Sequence, residues 1–355
     1  MLTTLNVQII NGLDGDPAVY VQLAQTGECI LFDAGSLDKL SHRELLKIRV
    51  VAISHTHVDH FIGFDRLIRV NVPHFRTVEV IGPTGITANL MGKLRAYNWN
   101  LLEPGQLNFI VHEVSATGQV AANKLTNVNN FEPQKLNIYE GRDDSLSNSI
   151  VDLTLSTSNN FRLRAVVVDH GTSVLSFSLM MPSSLMVSKD LLEDLKFKPG
   201  PWIAELQRKA LAEDLDGVIA VNGLEIPTRE LANKLLTPRT GEQLVYVTDM
   251  IFNQSNVERI TRFGDSPVNL LICESNYIQS DRLKASLKFH LTTYQAALLG
   301  ATLRAKNLQI FHISNIYGGE IGVSIQEADK FLEAFRLLST EELSSKLSKE
   351  LSELA

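Results

Sequence analysis

Four side chains able to bind a metal ion fall within the six residues His55-Thr56-His57-Val58-Asp59-His60. Imidazole nitrogens with a carboxylate are the donor set expected for zinc or a similar borderline cation. The apolar run RVVAISH ends at the first histidine, and the helix-like segment VDHFIGFDRLIR starts just behind it. A strand end is a rigid platform, and the turn after it lets several side chains converge. A polar turn whose histidines only cap a helix is the bland alternative, and four donors in six positions weigh against it.

Those donors alone do not complete a closed site, so further ligands are expected where other apolar strands end. Three candidates fit. VVVDHG places His170 after a valine run, VYVTDM places Asp249 likewise, and QIFHIS places His312 likewise. Taken singly, each reads as a structural hydrogen-bonding residue. Three strand ends that all supply ligand-type residues read as one site.

The elements that must position these groups are legible from their periodicity. LNVQII, AVYVQLA and ECILFDAG are consecutive strands with Gly and Asp between them. RTVEVIG leads into the helix-like PTGITANLMGKLRAYNW, and strand-like segments return over residues 107–181. The Asn-rich stretch Ala121–Gln134 reads as a long hairpin or loop. Ser188–Ala212 is helix-like, interrupted by Lys198-Pro199-Gly200-Pro201. EQLVYVTDM and VNLLICES are buried-type strands, TTYQAALLGATLRAKN a helix, LQIFHIS a strand, and two helices follow. Two mixed sheets packed face to face with helices outside are expected. Residues 1–335 read as a single domain with an excursion near 119–149 and a helix-like segment over 182–210. A C-terminal helix over 336–355 follows.

Hydrophobic residues are 44% and charged residues 21%, ordinary globular usage. A chain of this length buries a large core without staples. The net charge of −7 does not advertise nucleic-acid binding, although an acidic whole can carry a local basic patch. Cys29 and Cys273 lie in strand-like runs and read as buried free thiols of a reducing compartment. The N-terminus has neither the basic start nor the apolar core of a leader, and no run approaches ~18 apolar residues. The expectation is a cytoplasmic protein without membrane association.

The run His-Thr-His-Val-Asp-His resembles the HxHxDH signature of the metallo-β-lactamase superfamily, and His170, Asp249 and His312 follow in that superfamily's order. The resemblance implies a four-layer αββα sandwich holding two divalent metals, zinc first, with manganese or iron as alternatives. By position, His55, His57 and His170 hold one metal, Asp59, His60 and His312 the other, and Asp249 bridges. The run from His170 to Gly223 is similar to the tRNase Z (ribonuclease Z) family. SKDLLEDLKFKPGPWIAEL stands for that family's protruding arm, with Gly200-Pro201 as its motif. ICESNY places Glu274 at the family's acid position, KFHLTTYQAALLGA places His290 at its proton-donor position, and HISNIY carries the terminal ligand. The likeness runs from about Cys29 to Tyr317.

The resemblance implies a phosphodiester-cleaving endoribonuclease that removes 3′ trailers from precursor tRNA as a homodimer. Two metals clamp the diester oxygens and lower the pKa of bound water toward ~7. Asp59 orients that water or takes its proton, and His290 with Glu274 protonates the departing sugar oxygen. Asp33 in LFDAG supports a ligand histidine without binding metal itself. His42, His74 and His112 match no motif and read as ordinary histidines. Lys189, Lys196, Lys198, Arg208 and Lys209 make the arm locally basic, although acids interleave, so an RNA contact and a solvated face both fit. Ile316 stands where the family carries an arginine. Two other readings share these residues: hydrolysis of a small phosphodiester or ester such as a cyclic nucleotide, and a non-catalytic RNA-binding scaffold.

Overall fold

In a computed structural model describing residues 2–140, 150–155, 161–264 and 268–353, the apolar runs become strands. One sheet holds, in sequential order among the described residues, β1 (Leu5–Ile9), β2 (Val19–Leu23), β3 (Cys29–Phe32), β4 (Ile48–Ala52), β5 (Arg76–Pro83), β6 (Leu107–Val114), β7 (Gln119–Thr126) and β8 (Gln134–Glu140). The pairs from β3 to β6 are parallel and the outer pairs antiparallel. Parallel neighbours need crossovers, made by α1 (His42–Lys47), α2 (Val58–Phe61), α3 (Phe64–Asn71) and α4 (Ile86–Arg95). The Asn-rich segment closes the β7–β8 hairpin, and residues 141–149 of the expected excursion lie outside the described residues.

Beyond it come β9 (Ile150–Leu153), β10 (Arg162–Asp169) and β11 (Ser173–Met181). Met180–Glu242 then form a separate compact unit: β12 (Ser184–Val187), α5 (Lys189–Asp194), α6 (Trp202–Leu211), β13 (Val218–Val221), β14 (Leu224–Pro227), α7 (Thr228–Leu235) and β15 (Leu236–Arg239). The chain continues through β16 (Glu242–Val247), α8 (Gln254–Thr261), β17 (Leu270–Glu274), α9 (Arg282–Lys288), α10 (Thr293–Thr302), β18 (Asn307–Phe311), α11 (Ile321–Arg336) and α12 (Thr340–Ser352). The second sheet runs β18-β17-β16-β11-β10-β9, with β16, β17 and β18 mutually parallel.

The sheets meet through aromatic rings. Phe32 of the first lies 5.7 Å from Phe177 and 5.3 Å from Tyr246 of the second, and Tyr246 lies 5.4 Å from Phe311. All four are fully buried. Each such ring stabilises by roughly 2–3 kcal/mol, and truncation to alanine costs about 3–5 kcal/mol. On the outer face of the first sheet Leu31, Val51 and Val80 pack with Leu45, Phe64 and Leu90 of its helices. On that of the second, Val166, Val245 and Leu271 pack with Ile260, Leu298 and Leu332. Four layers in the order αββα result, as expected.

Where the pattern and the structure differ, local causes are visible. VDHFIGFDRLIR is two helices, α2 and α3, because Gly63 breaks it; a Cβ there would sit 1.9 Å from the Gly35 carbonyl oxygen. That close approach clamps the loop after β3 against the histidine cluster. TTYQAALLGATLRAKN is helical only to Thr302, started by a Thr292/Gln295 capping box. Cys29 and Cys273 are free and buried. No helix among the described residues is long and apolar enough to cross a membrane.

The Met180–Glu242 unit has its own core of Leu192, Trp202, Leu206, Ile219, Val221 and Leu231. Its Lys196–Gly200 loop is pinned from two sides. Trp202 Nε1 donates to the Lys198 carbonyl at 3.0 Å, and Asn222 Nδ2 to the Lys196 carbonyl at 3.2 Å. The unit carries eight Lys and Arg against ten Asp and Glu, so it is acidic as a whole. Its exposed Lys196 and Lys198 are held on that fixed loop.

Candidate active site and metal centre

The topology explains why residues so far apart in sequence meet. His55 follows β4, His170 follows β10, Asp249 follows β16, Glu274 ends β17 and His312 follows β18. Because β16, β17 and β18 run parallel with Val247 beside Cys273 and Glu274 beside Phe311, the last three arrive at one edge. Asp33 and His312 turn there through the left-handed region, at φ 55° each. Short polar and imidazole side chains tolerate that region better than most, and such residues concentrate at functional sites. Six of the nine histidines gather at this spot.

Asp249 occupies the centre. Its Oδ2 lies 3.5 Å from His60 Nε2, 3.5 Å from His170 Nε2 and 3.8 Å from His55 Nε2, and its Oδ1 lies 3.3 Å from His312 Nε2. Asp59 Oδ2 lies 3.6 Å from His60 Nε2 and 3.7 Å from His312 Nε2. Ligand atoms ~2.1 Å from a tetrahedral ion are separated by roughly 3.4 Å, the spacing these atoms show. They fall into the groups His55, His57, His170, Asp249 and Asp59, His60, His312. Every candidate ligand read from the sequence is therefore in this constellation.

The outer partners of the histidines test whether a cation fits. Three rings are tied through Nδ1, leaving Nε2 inward. His60 Nδ1 donates to Asp33 Oδ2 at 2.9 Å, and His170 Nδ1 donates to the Phe289 carbonyl at 2.7 Å. His55 Nδ1 lies 3.0 Å from the Ser54 hydroxyl, which itself donates to Asp33 at 2.8 Å. His55 Nε2 and His60 Nε2 are buried and have no hydrogen-bond partner. Buried polar atoms without partners are costly, and a cation between these two groups supplies the missing one. The residues fit a metal centre.

Charge in the cluster is uneven: burial disfavours a protonated His60, but the Asp249 and Asp33 carboxylates outweigh it and raise that ring well above its usual range. Burial, with the neighbouring His60 charge, pushes His55 down to about 2, so it is neutral as a ligand must be. Burial and His170 likewise lower His57. Burial disfavours the charged form of Asp249, but the His312 and His60 imidazoles outweigh it and hold the carboxyl well below its usual range. For His290, burial pulls down, yet Glu274 and Asp249 outweigh it and raise the ring to about 9. His290 Nδ1 lies 3.0 Å from Glu274 Oε2 and 4.0 Å from Asp249 Oδ2. Glu274 Oε1 accepts from the Met250 N–H at 3.0 Å, so the pair is fixed at both ends.

Asp33 is fully buried, bonds His60 Nδ1 and falls in none of the candidate metal groups, the supporting place expected of it. His112 is buried against Glu79 at 2.9 Å, away from this cluster. Sequence reasoning missed Ser54, Tyr246 and Phe289. Tyr246 donates to Asp33 Oδ2 at 2.7 Å across 213 residues, and in the run VYV it carries no sign beyond a core residue. Phe289 acts through its carbonyl, which no side-chain pattern reports.

No protein-family model matches the chain. It is 30% identical over 291 residues to Ribonuclease Z of Deinococcus radiodurans, covering 81% of this chain and 83% of that protein. It is 27% identical over 325 residues to human Zinc phosphodiesterase ELAC protein 1, covering 84% of this chain and 81% of that protein. Among solved structures it is similar to the metallo-β-lactamase fold protein YhfI of Bacillus subtilis, at 15% identity and TM-score 0.52, with 93% of each chain covered. Unliganded yeast PDE1 is similar at 11% identity and TM-score 0.54, with 95% of this chain and 96% of that one covered. The fold is therefore the metallo-β-lactamase sandwich, and the residues that could hold metal in it are all present. At the first of these identities and coverages, the chain belongs to the ribonuclease Z family, whose members are hydrolytic endoribonucleases.

Proposed function

We propose that this chain removes the 3′ trailer from precursor tRNA, and that His55, His57 and His170 would hold one zinc ion and Asp59, His60 and His312 a second, with the Asp249 carboxylate within reach of both groups. The observation that carries the reading is the fixed His290–Glu274 pair beside the ligand cluster, because a diester whose sugar oxygen must leave needs a proton donor there. Bound divalent metal acts as a Lewis acid on the phosphoryl oxygens and acidifies water. Asp59 orients the attacking water and takes its proton. The water oxygen bonds to phosphorus, the bond from phosphorus to the 3′ oxygen breaks, and His290 gives its proton to that oxygen. The products are a 3′-hydroxyl on the tRNA and a 5′-phosphate on the trailer.

His290 is protonated below about pH 9, so cleavage declines as pH rises through that value and the donor is lost. In Glu274→Gln the charge that raises His290 is gone, and the alkaline limb moves down toward an imidazole's usual 6.5. His290→Ala lowers kcat on precursor RNA by about 10²–10⁴ with metal content retained. A pH–rate profile of the three proteins checks this, and an unmoved limb in Glu274→Gln contradicts the assignment.

The Met180–Glu242 unit is the RNA-gripping arm in this reading, through Lys196 and Lys198 on their pinned loop. Excising only Ser188–Leu206 would strip Leu192, Trp202 and Leu206 from its core. The antiparallel partners Ser184 and Arg239 offer a closer join, so 185–238 is the segment to replace with a short turn. Precursor cleavage then falls on the order of a hundredfold, as expected when remote binding energy is removed. Hydrolysis of bis(4-nitrophenyl) phosphate persists.

Ile316, 59% exposed beside a cavity of about 250 Å³ that also holds Asp59 and His312, favours the small-phosphodiester reading, because among the described residues no Lys or Arg lines that cavity to meet further phosphates. Equal loss on both substrates after the excision would support it. A cytoplasmic homodimer completes the proposal.

A further inference from the structure

A second cavity of about 530 Å³ opens beside His290 and shares no lining residue with the acidic cavity at Asp59. Its walls come from the segment before α8, from the α9–α10 connection and from α12. Phe252, Phe289 and Leu351 supply apolar surface, and Asn253, Gln254 and Ser348 supply uncharged donors and acceptors. Among the described residues no Lys, Arg, Asp or Glu lines it, and His290 is its one ionisable group. The cavity at Asp59 differs, carrying Asp14, Asp16 and Asp59.

Its walls are fixed. Arg282 pairs with Glu350 at 3.5 Å and Glu353 at 2.6 Å, and Gln295 Nε2 donates to Glu350 at 2.9 Å, docking α12 on the α9–α10 connection. Phe289 closes α9 at φ 63°, and its ring packs over Gly171, where a Cβ would meet it at 3.2 Å. The same residue's carbonyl holds His170, so cavity wall and metal cluster share one residue.

We infer that this cavity is the subsite for the nucleoside whose 3′ oxygen leaves the scissile phosphate. The inference rests on the reading of His290 as proton donor, since the group receiving that proton must adjoin the ring that gives it. Size, charge and chemistry agree. Ligand pockets run from roughly 300 to 1,000 Å³, enough for a nucleoside. A base is recognised by aromatic faces and by amide and hydroxyl hydrogen bonds, and an uncharged lining suits it better than a phosphate. The C-terminal helix α12 is thereby a specificity element, because Ser348 and Leu351 form one wall.

The test uses adenosine, cytidine, guanosine and uridine titrated into metal-loaded protein, with Leu351→Trp and Ser348→Trp placed to fill the cavity. At least one nucleoside is expected to bind the wild type and to bind both variants at least ~10-fold more weakly. On precursor RNA, kcat/KM of the variants falls at least ~10-fold further than on bis(4-nitrophenyl) phosphate. Photolabelling of the wild type with 8-azidoadenosine is expected on the peptides bearing Phe252 or Leu351, which keeps the test decisive if a variant misfolds. No nucleoside binding to the wild type, equal binding to the variants, or labelling elsewhere overturns the subsite. His290→Ala cleaving RNA at the wild-type rate overturns the proton-donor reading separately, whatever the nucleosides do.

Discussion

Asp249→Ala is expected to lose its metal and, with it, hydrolysis of both precursor RNA and bis(4-nitrophenyl) phosphate by about a thousandfold or more. The size of the effect follows from position. One carboxylate reaches His55, His60 and His170 with Oδ2 and His312 with Oδ1, all within 3.8 Å, so it contacts members of both ligand groups. Removing a donor at the periphery leaves one group intact; removing this one weakens both. Elemental analysis beside rate measurements separates the possibilities. Retained metal with activity within tenfold of wild type would show that Asp249 does not bridge. Asp249→Glu is expected to be nearly as inactive, because an added methylene displaces the oxygens by more than an ångström in a fully buried position.

Asp33→Asn carries the second large effect, and here stability moves as well as activity. The buried carboxylate accepts from the Ser54 N–H at 2.6 Å, the Ser54 hydroxyl at 2.8 Å, the Tyr246 hydroxyl at 2.7 Å and His60 Nδ1 at 2.9 Å. An amide of the same shape offers one acceptor oxygen and turns a donor toward donors. Breaking such a network from one side costs about 3–5 kcal/mol. It also releases the ring of His60, and loss of an outer partner typically weakens metal affinity 10–100-fold. Chemical denaturation of metal-free protein and a metal titration read the two effects independently. Tyr246→Phe, which removes one of the four donors and leaves the ring packing, is expected to cost nearer 1 kcal/mol. If Asp33→Asn unfolds no earlier than wild type, the network does not hold the two sheets together at this point.

The metal donors were legible because four fall within six residues and the others follow apolar runs that form buried strands, parallel for β16 and β18 and antiparallel for β10. The layered fold followed from the same runs. Glu274 and His290 were legible only through family resemblance, since a glutamate ending an apolar strand and a histidine before a helix have ordinary structural uses. Tyr246 and Phe289 were not legible: one meets Asp33 across the sandwich, and the other acts through its backbone. Residues 211–242 gave no pattern because strands of four residues are too short to show alternation. The basic reading of the arm rested on five cations within Lys189–Lys209, whereas the ten acids of Met180–Glu242 outnumber its eight cations and make the unit acidic; Lys196 and Lys198 are among its exposed cations.

The most direct test is incubation of a precursor tRNA bearing a 3′ trailer with metal-loaded protein, beside metal-stripped protein and His57→Ala. Cleavage at the trailer junction by the metal-loaded wild type alone, leaving a 3′-hydroxyl on the tRNA and a 5′-phosphate on the trailer, is the predicted result. Intact precursor in all three tubes, while the metal-loaded wild type still hydrolyses bis(4-nitrophenyl) phosphate, would contradict it and assign the centre to a small phosphodiester.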